Sequence, residues 1–304
     1  MSIGATHDSP IHDSFSVTWL RRWGIAASIA VVVSLLVTPV GRAETPQSAA
    51  EDSLEPRYPL AVAVADETLF VVDLDLPGVW KISEAGRELF VRGSRFFRKP
   101  LNRPRCVAIH PAGGILVGDS ATREVYHIAA VDAEPQPLSG GRIGIAMALA
   151  VSPDSQTLFV GDAEQRAVLR LPIGGGTPES VVAVNARGLA FDAVGALWAV
   201  TPDDAAVQRI DVDAGTSETV ISGRPFRYPN GLIWLGDHGL VTDGYSKKIW
   251  RFTAAGDTET WLEGDPLVGP VGIAHDAGKV FVADPKQNQL FEFDRQDKSS
   301  RSRL

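Results

Sequence analysis

Short apolar runs alternate with polar turns along most of the chain, and the same order of runs returns six times. One run ends in an acid or a threonine, at Asp73, Asp119, Asp162, Thr201, Asp243 and Asp284. A second run begins six residues after each of these positions, as in VWKI (79–82) and IWRF (249–252). A third run lies upstream, as in AVAV (61–64). Runs of this length, bounded by turn residues, predict β-strands.

The turns and the spacing predict how these strands are arranged. Gly, Pro and Asp fill the segments between the runs, for example HPAGG (110–114), and these residues favour tight hairpins. A more variable fourth run follows in several units, as in ELFV (88–91). Four short strands in every 40 or so residues are typical of a propeller blade. We therefore predict an all-β, six-bladed β-propeller of four-stranded antiparallel blades over 58–298, with a loose polar tail at 299–304.

One unit carries a more specific pattern. Its residues are Tyr228-Pro229-Asn230-Gly231-Leu232, then Asp243, then Ile249-Trp250-Arg251-Phe252. This pattern resembles an NHL repeat, and it also resembles one blade of the SMP-30/gluconolactonase group. The resemblance extends over nearly all of 58–295. It implies a six-bladed propeller that binds its ligands at one end of the central channel, and it leaves the activity open.

The N-terminal segment has the order of an export signal. Arg21 and Arg22 precede an apolar run at 24–40, and Gly41-Arg42-Ala43 places small residues before a cleavage point. We predict a signal peptide or signal anchor over 1–43. The protein is then exported and is periplasmic or secreted, or it is held on a membrane by residues 24–40.

Closure of the ring is the open question of the fold. The last unit ends after its third strand, at Phe293. A missing outer strand would leave an exposed sheet edge, which proteins avoid. The segment 44–57 is therefore either a polar linker or the strand that closes the last blade.

Composition excludes several classes of protein. The chain has 304 residues, a net charge of −8 and a pI of about 5.3, which argues against a general nucleic-acid binder. Its single cysteine, Cys106, excludes an internal disulfide framework and any metal site of several cysteines. Cys106 lies in an apolar strand, where we expect a buried, inert thiol.

Two positions of the repeat are relevant to function, one filled almost alike in every unit and one variable. The acid that ends the second strand fills five of six units, and a repeated Asp is expected to bond backbone N–H groups of the following loop. The residue before the small residue that opens the first strand varies instead. It is Leu60, Arg105, Met147, Arg187, Asn230 or Val271. A residue that is the same in every blade is usually structural, whereas a functional residue is usually needed in only one blade. We therefore look for the ligand site among these variable positions.

The resemblance to SMP-30-like lactonases suggests one use of these positions. In that group, carboxylate and amide side chains on the inner strands hold a divalent cation, usually calcium or zinc. Only Asn230 matches here, and Pro270-Val271-Gly272 lacks the family's acid. A metal-dependent lactonase-like hydrolase, with Asn230 as a ligand for Ca²⁺ or Zn²⁺, is therefore kept as the alternative function.

The arginines suggest a ligand of opposite charge. Arg105 and Arg187 are expected at the channel mouth with Tyr228, Asn230 and Tyr245. Arg forms paired hydrogen bonds to carboxylate or phosphate, so an anionic ligand is the first interpretation. A second interpretation pairs each arginine with a neighbouring acid such as Asp119 or Asp162, because buried charges are normally paired.

A basic segment stands out in an acidic protein. Residues 92–105 (RGSRFFRKPLNRPR) contain six Arg and Lys residues and no acid, with Phe96 and Phe97 among them. It is either a solvated loop or a dock for a polyanion, an anionic surface or an acidic partner.

These observations favour a non-catalytic function. We predict an extracytoplasmic binding or protein-interaction propeller of NHL-repeat type, whose partner is a small anionic molecule or an acidic protein. No cofactor and no nucleic acid are expected, and membrane contact only through the N-terminal anchor. If the protein is an enzyme, the lactonase-like hydrolase is the expected reaction class.

Overall fold

The computed structural model describes residues 55–96 and 98–304. The signal or anchor over 1–43 and most of the 44–57 segment lie outside these residues. Six antiparallel sheets of four strands each form the propeller, which confirms the predicted fold class. The part of the chain that is described contains no helix long and apolar enough to cross a bilayer.

Each blade is built from four strands that follow one another in the chain. Blades one to three comprise β1 (Pro59–Ala65), β2 (Thr68–Asp73), β3 (Gly78–Ser83), β4 (Gly86–Arg92), β5 (Pro104–Ile109), β6 (Ile115–Asp119), β7 (Glu124–Ile128), β8 (Gln136–Pro137), β9 (Ala146–Val151), β10 (Thr157–Asp162), β11 (Ala167–Pro172) and β12 (Glu179–Val182). Blades four to six comprise β13 (Gly188–Phe191), β14 (Leu197–Val200), β15 (Ala205–Asp211), β16 (Thr216–Ser222), β17 (Pro229–Leu235), β18 (His238–Asp243), β19 (Lys248–Thr253), β20 (Thr258–Glu263), β21 (Gly272–Asp276), β22 (Lys279–Asp284), β23 (Gln289–Asp294) and β24 (Ser300–Ser302).

The hydrophobic core lies between blades. Six buried clusters each join residues of two neighbouring blades. One of them joins Val62 and Leu69 of blade one to Phe281 and Leu290 of blade six. Because burial of apolar surface drives the blades together all the way round, this cluster closes the ring by packing.

The first strand opens on a small residue because neighbouring blades nearly touch there. A Cβ added to Gly231 would lie 2.7 Å from the Val271 carbonyl oxygen, and one added to Gly272 would lie 2.8 Å from that of Leu60. Such distances are too short for real Cβ atoms, so glycine sets how closely the inner strands can approach.

The repeated acid at the end of the second strand holds the mouth of each blade together. Asp243 is fully buried and accepts hydrogen bonds from the backbone N–H groups of Arg227 (2.8 Å) and Tyr228 (2.9 Å). In blade four the Thr201 hydroxyl accepts a bond from the N–H of Asp203 (3.1 Å). The Ser246 N–H in the loop after Asp243 also donates to the Asp243 carboxylate at 3.2 Å, which is the role expected for the acid. The bonds from Arg227 and Tyr228 are an addition, because they tie the preceding connector to the strand.

The last blade is completed by the C-terminal segment. We expected a loose tail at 299–304, but β24 forms there and pairs Phe291 with Ser302 and Phe293 with Ser300. Residues 55–57 belong to no strand, and 44–54 lie outside the described residues. Backbone pairing of β24 to β23 adds the fourth strand of the last blade. Leu304 packs against the cluster that joins the last blade to the first.

The topology separates two faces. The loops between second and third strands lie on one face together with the connectors between blades. We call this face the mouth face. These loops and connectors span 74–77, 93–103, 120–123, 138–145, 163–166, 183–187, 201–204, 223–228, 244–247, 264–271 and 285–288. The opposite face holds the hairpins between first and second and between third and fourth strands.

Candidate functional site

A cavity of about 240 Å³ lies at the mouth-face end of the channel. We call it the mouth cavity. Every inner strand contributes to its lining, and four of the five predicted site residues line it, namely Arg105, Arg187, Tyr228 and Asn230. The fifth, Tyr245, stacks on Tyr228 with ring centroids 4.5 Å apart and planes at 18°. The structure therefore brings the five predicted residues together.

Arg187 stands immediately before β13 with its side chain half-buried. Its backbone N–H donates to the Val200 carbonyl at 2.8 Å, which fixes the residue at the rim of the channel. Burial lowers the pKa of the Arg187 guanidinium; Tyr228 and Asp203 oppose this, and Arg105 adds to it. No described acid pairs with this guanidinium at ion-pair distance. A positive charge that is costly to bury therefore lies beside the cavity.

Arg105 supplies the second guanidinium of the cavity. It lies on β5, half-buried, and its Nε donates to the Ser120 hydroxyl at 2.9 Å. The Asp119 carboxylate next to it accepts the N–H groups of Asn102 and Arg103, both at 2.9 Å.

The alternative pairing of the arginines with the repeated acids is not what the structure contains. Asp162, like Asp119, accepts backbone donors, from Gly144 (2.6 Å) and Ile145 (3.1 Å). The repeated acids accept hydrogen bonds from backbone N–H groups of the loops. The two guanidinium groups therefore retain N–H donors that can bind a ligand in the cavity.

Asn230 presents an amide oxygen. It lies on β17 and is buried, and its Nδ2 donates to the Tyr228 carbonyl at 3.0 Å. That bond orients the side chain, and among the described residues no donor occupies its Oδ1. Asn230 can therefore accept one hydrogen bond or provide one neutral oxygen ligand.

Metal-binding groups are sparse near the cavity. None of the residues that line it is Asp, Glu or His. Over the described chain no group of three or more His, Cys, Asp or Glu residues is placed to hold a metal ion. The Cys106 thiol also lines the cavity, and burial raises its pKa to about 12. A raised pKa disfavours the thiolate, which is the nucleophilic form of cysteine.

A polar cluster beside Arg187 was missed by the sequence reasoning. Arg166 pairs with Asp203 at 2.9 Å, and the Nδ2 of Asn185 donates to the same carboxylate at 3.4 Å. The Oδ1 of Asn185 is buried and has no hydrogen-bond partner. These residues lie in the loops of different blades, where the repeat pattern carries no signal.

The basic segment lies beside the mouth cavity. Arg95 donates to the Asp75 carbonyl oxygen, and Asn102 donates through Nδ2 to the carbonyls of Ser94 (2.7 Å) and Phe96 (3.3 Å). Leu101, which belongs to the segment, is fully buried. These contacts anchor the loop, yet the Phe96 side chain is 79% exposed on the mouth face.

Comparison with known proteins identifies the architecture. No protein-family model matches the sequence, and no curated protein matches it. Among solved structures, virginiamycin B lyase from Staphylococcus aureus aligns at 14% identity with a TM-score of 0.61, covering 81% of this chain and 84% of that one. A gluconolactonase from Xanthomonas campestris aligns at 16% identity with a TM-score of 0.64, covering 78% and 86%.

A chain of the nidogen/laminin complex aligns at 15% identity with a TM-score of 0.62, covering 80% of this chain and 90% of that one. These neighbours include enzymes of different reactions and a protein-binding domain. At such identities the likeness concerns the fold alone. The chain is thus a six-bladed β-propeller whose structural neighbours include gluconolactonases and virginiamycin B lyase.

Proposed function

We propose that the protein binds an anionic small molecule in the mouth cavity and does so without catalysing a reaction. The observation that carries the proposal is the pair Arg105 and Arg187 in a cavity whose lining contains no acid. A bound carboxylate or phosphate would supply the counter-charge that the protein does not.

The energetics favour such a ligand. Partial burial makes the positive charge of Arg187 costly, as the lowered pKa of its guanidinium indicates. An anion in the cavity would offset this cost, and hydrogen bonds to charged groups are worth about 1.5–3 kcal/mol each. The Asn230 amide oxygen and the tyrosine hydroxyls add neutral partners that could select among anions.

A metal-dependent lactonase has less support. The structural likeness to a gluconolactonase is consistent with it, but that likeness extends only to the fold. Calcium takes about 6–8 oxygen ligands. The residues that line the cavity offer Asn230 and no carboxylate.

The test is a thermal melt and a calorimetric titration of the full chain. The probes are succinate, citrate, inorganic phosphate and D-gluconate, with Ca²⁺ and Zn²⁺ as a separate arm. A ligand that binds only the folded state raises the melting temperature by mass action. We expect at least one anion to raise it and Arg187→Gln and Arg105→Gln to abolish the shift.

A matched control removes a guanidinium elsewhere. Arg170 lies on β11, exposed, and pairs with Glu179 at 3.4 Å, so Arg170→Gln should leave anion binding unchanged. A shift produced by metal alone and abolished by Asn230→Ala would favour the lactonase instead. Anion shifts that survive both cavity variants would contradict the proposed site.

We propose further that binding takes place outside the cytoplasm. The partner is a small anion or an acidic protein outside the cytoplasm, and the arginines would recognise either through its carboxylates.

A further inference from the structure

The two faces of the propeller carry opposite charge. Across the described mouth-face loops, twelve Arg and Lys residues stand against five Asp and Glu residues. The described hairpins of the opposite face hold two Arg and Lys residues against eleven Asp and Glu residues. The net charge of −8 therefore conceals a positive surface around the mouth cavity.

The acids of the mouth face are mostly neutralised within it. Three of them pair with arginines of neighbouring loops, in the pairs Arg123–Glu164 (2.7 Å), Arg166–Asp203 (2.9 Å) and Arg224–Asp204 (2.9 Å). The surplus of positive charge, which includes Lys99, Arg103 and Lys286, remains available to attract a polyanion.

Exposed aromatic rings share this face with the cations. Phe96, Tyr228 and Tyr245 are 79%, 47% and 62% exposed, and all three belong to mouth-face loops. Among the described residues the two other large exposed apolar ones, Val131 and Val194, are aliphatic and lie in hairpins of the opposite face. The stacked tyrosine pair and Phe96 therefore form two separate aromatic surfaces on the mouth face.

The two tyrosine rings have cations near them. The Lys286 ammonium lies 5.6 Å from the Tyr245 ring centroid, and Tyr228 lines the mouth cavity together with Arg187. Rings paired with cations suit a ligand whose every unit carries both an apolar ring face and an anionic group.

We propose that the mouth face binds an acidic oligosaccharide built from uronic acid units. The pyranose faces stack on the tyrosine pair and on Phe96, and the carboxylates meet the surrounding cations. One unit enters the mouth cavity, where Arg105 and Arg187 bind its carboxylate. The inference rests on the proposed function, since that unit is the anion of the cavity.

Two other polyanionic partners suit the surface less well. The flat surface of an anionic bilayer cannot reach arginines that line a cavity of about 240 Å³. A single-stranded nucleic acid has larger units than a hexuronate, so a whole nucleotide fills such a cavity less readily. Both are kept as arms of the experiment.

The experiment measures binding of the full chain to D-galacturonate, to its trimer, and to maltotriose as the neutral trimer. We expect the acidic trimer to bind about ten times more tightly than the monomer, since further rings and charges engage the face. Affinity for the trimer should fall with added salt, and maltotriose should not bind. Tyr245→Ala should weaken trimer binding about five- to tenfold and monomer binding much less, since Tyr245 stands outside the cavity lining, and Tyr245→Trp should retain trimer binding.

Charge reversal on the two faces is the matched comparison. Lys99→Glu with Arg103→Glu should weaken trimer binding at least tenfold, whereas Arg295→Glu with Lys298→Glu on the opposite face should not. Monomer binding that depends on Arg187, with no gain for the trimer, would overturn this inference and leave the proposed function standing. Trimer binding that needs Tyr245 but not Arg187 would overturn the role of the cavity.

The remaining arms separate the other partners. Tighter binding to a thymidine oligonucleotide, or to phosphatidylglycerol vesicles in a manner that Lys99→Glu with Arg103→Glu abolishes, would overturn the assignment to a carbohydrate. Salt-sensitive self-association that blocks the trimer would mean that the acidic face of a second copy occupies the surface.

Discussion

The imidazole rings of His110 and His127 stack with their centroids 3.9 Å apart and their planes at 21°. His110 is buried on the face opposite the mouth, and its Nδ1 accepts a hydrogen bond from the N–H of Ala112 at 3.1 Å. The Nε2 of His127 lies 3.0 Å from the Gly113 carbonyl. The Nδ1 of His110 therefore carries no proton in this arrangement, and a proton there would break the turn of the β5–β6 hairpin.

This pair predicts a loss of stability in mild acid. Burial, and secondarily the neighbouring His127, lowers the pKa of His110 below its ordinary 6.5. The unfolded chain then binds the proton more readily than the folded one, so the contribution is present above pH 6.5 and is lost as pH falls through the folded-state pKa. Melting temperatures between pH 8 and pH 5 should show a steeper fall for the wild type than for His110→Gln. Equal slopes would contradict the prediction.

The carboxylate of Asp243 predicts a second, separate pH effect. Burial by itself raises its pKa, but hydrogen bonds from Arg227, Tyr228 and Ser246 outweigh burial and hold the pKa below the ordinary 3.8. The ionised form is thus favoured by folding. Asp243→Asn should lower the free energy of unfolding by about 1–3 kcal/mol at pH 7, because buried N–H donors lose an acceptor.

The pH dependence distinguishes that effect from a packing defect. Since the stabilisation by Asp243 disappears as pH falls through its folded-state pKa, the wild type and Asp243→Asn should converge in acid. Chemical unfolding from pH 7 down to about pH 2, below the lowered pKa of Asp243, measures this. Thr201→Ala in blade four, where a neutral hydroxyl takes the place of the acid, should give a difference that does not vary with pH.

The propeller could be predicted from the sequence because the repeated apolar pattern reflects how each blade packs against its neighbours. The second strand of every blade is buried between two neighbours, so its apolar pattern returns six times and its final acid five times. The C-terminal strand could not be predicted in this way, since Ser300–Ser302 is polar and exposed and has no apolar run. The cluster of Asn185, Arg166 and Asp203 was missed because it joins loops of different blades.

The residues of the mouth cavity were predictable for the opposite reason. They occupy one repeated position that need not be filled alike in each blade, so Arg105, Arg187 and Asn230 stand out as departures from the pattern. Their chemistry was less predictable. An arginine can pair with Asp119 only if other donors leave that carboxylate free. In the structure, backbone N–H groups of the connector already donate to it.

The junction between the last and first blades yields a prediction about stability. Glu292 is buried and contacts Arg301 at 2.9 Å and Arg303 at 2.8 Å, and Arg303 also reaches Glu84 of blade one at 3.3 Å. The Arg303 side chain is 12% exposed and that of Arg301 59%. Because a buried charge that loses its partner is costly, Arg303→Ala should destabilise the fold by about 2 kcal/mol, and Arg301→Ala by less than about 1 kcal/mol.

A double-mutant cycle checks the origin of that cost. Glu292→Gln removes the buried charge, so Arg303→Ala should cost much less in that background. Urea unfolding of the four proteins provides the values. If the two changes simply add, packing of the Arg303 stem rather than the ion pair holds the last strand in place.

Arg187 predicts a conflict between stability and binding. Its guanidinium is half-buried beside Arg105, with no ion-pair partner among the described residues, and burial lowers its pKa. Replacing a buried charge by an apolar side chain of similar volume is often neutral or stabilising. Arg187→Met should therefore raise the free energy of unfolding by up to about 1 kcal/mol in ligand-free buffer.

The same substitution should remove any stabilisation by succinate, citrate, phosphate or D-gluconate, because the charge that costs stability is the charge that binds the anion. Urea unfolding with and without each anion measures both effects in one series. Arg170→Met is the control, since it removes an exposed guanidinium that pairs with Glu179. A marked loss of stability in Arg187→Met, with anion effects intact, would mean that the guanidinium serves the fold. A gain in stability with loss of the anion effect would mean that the cavity retains its positive charge for a ligand.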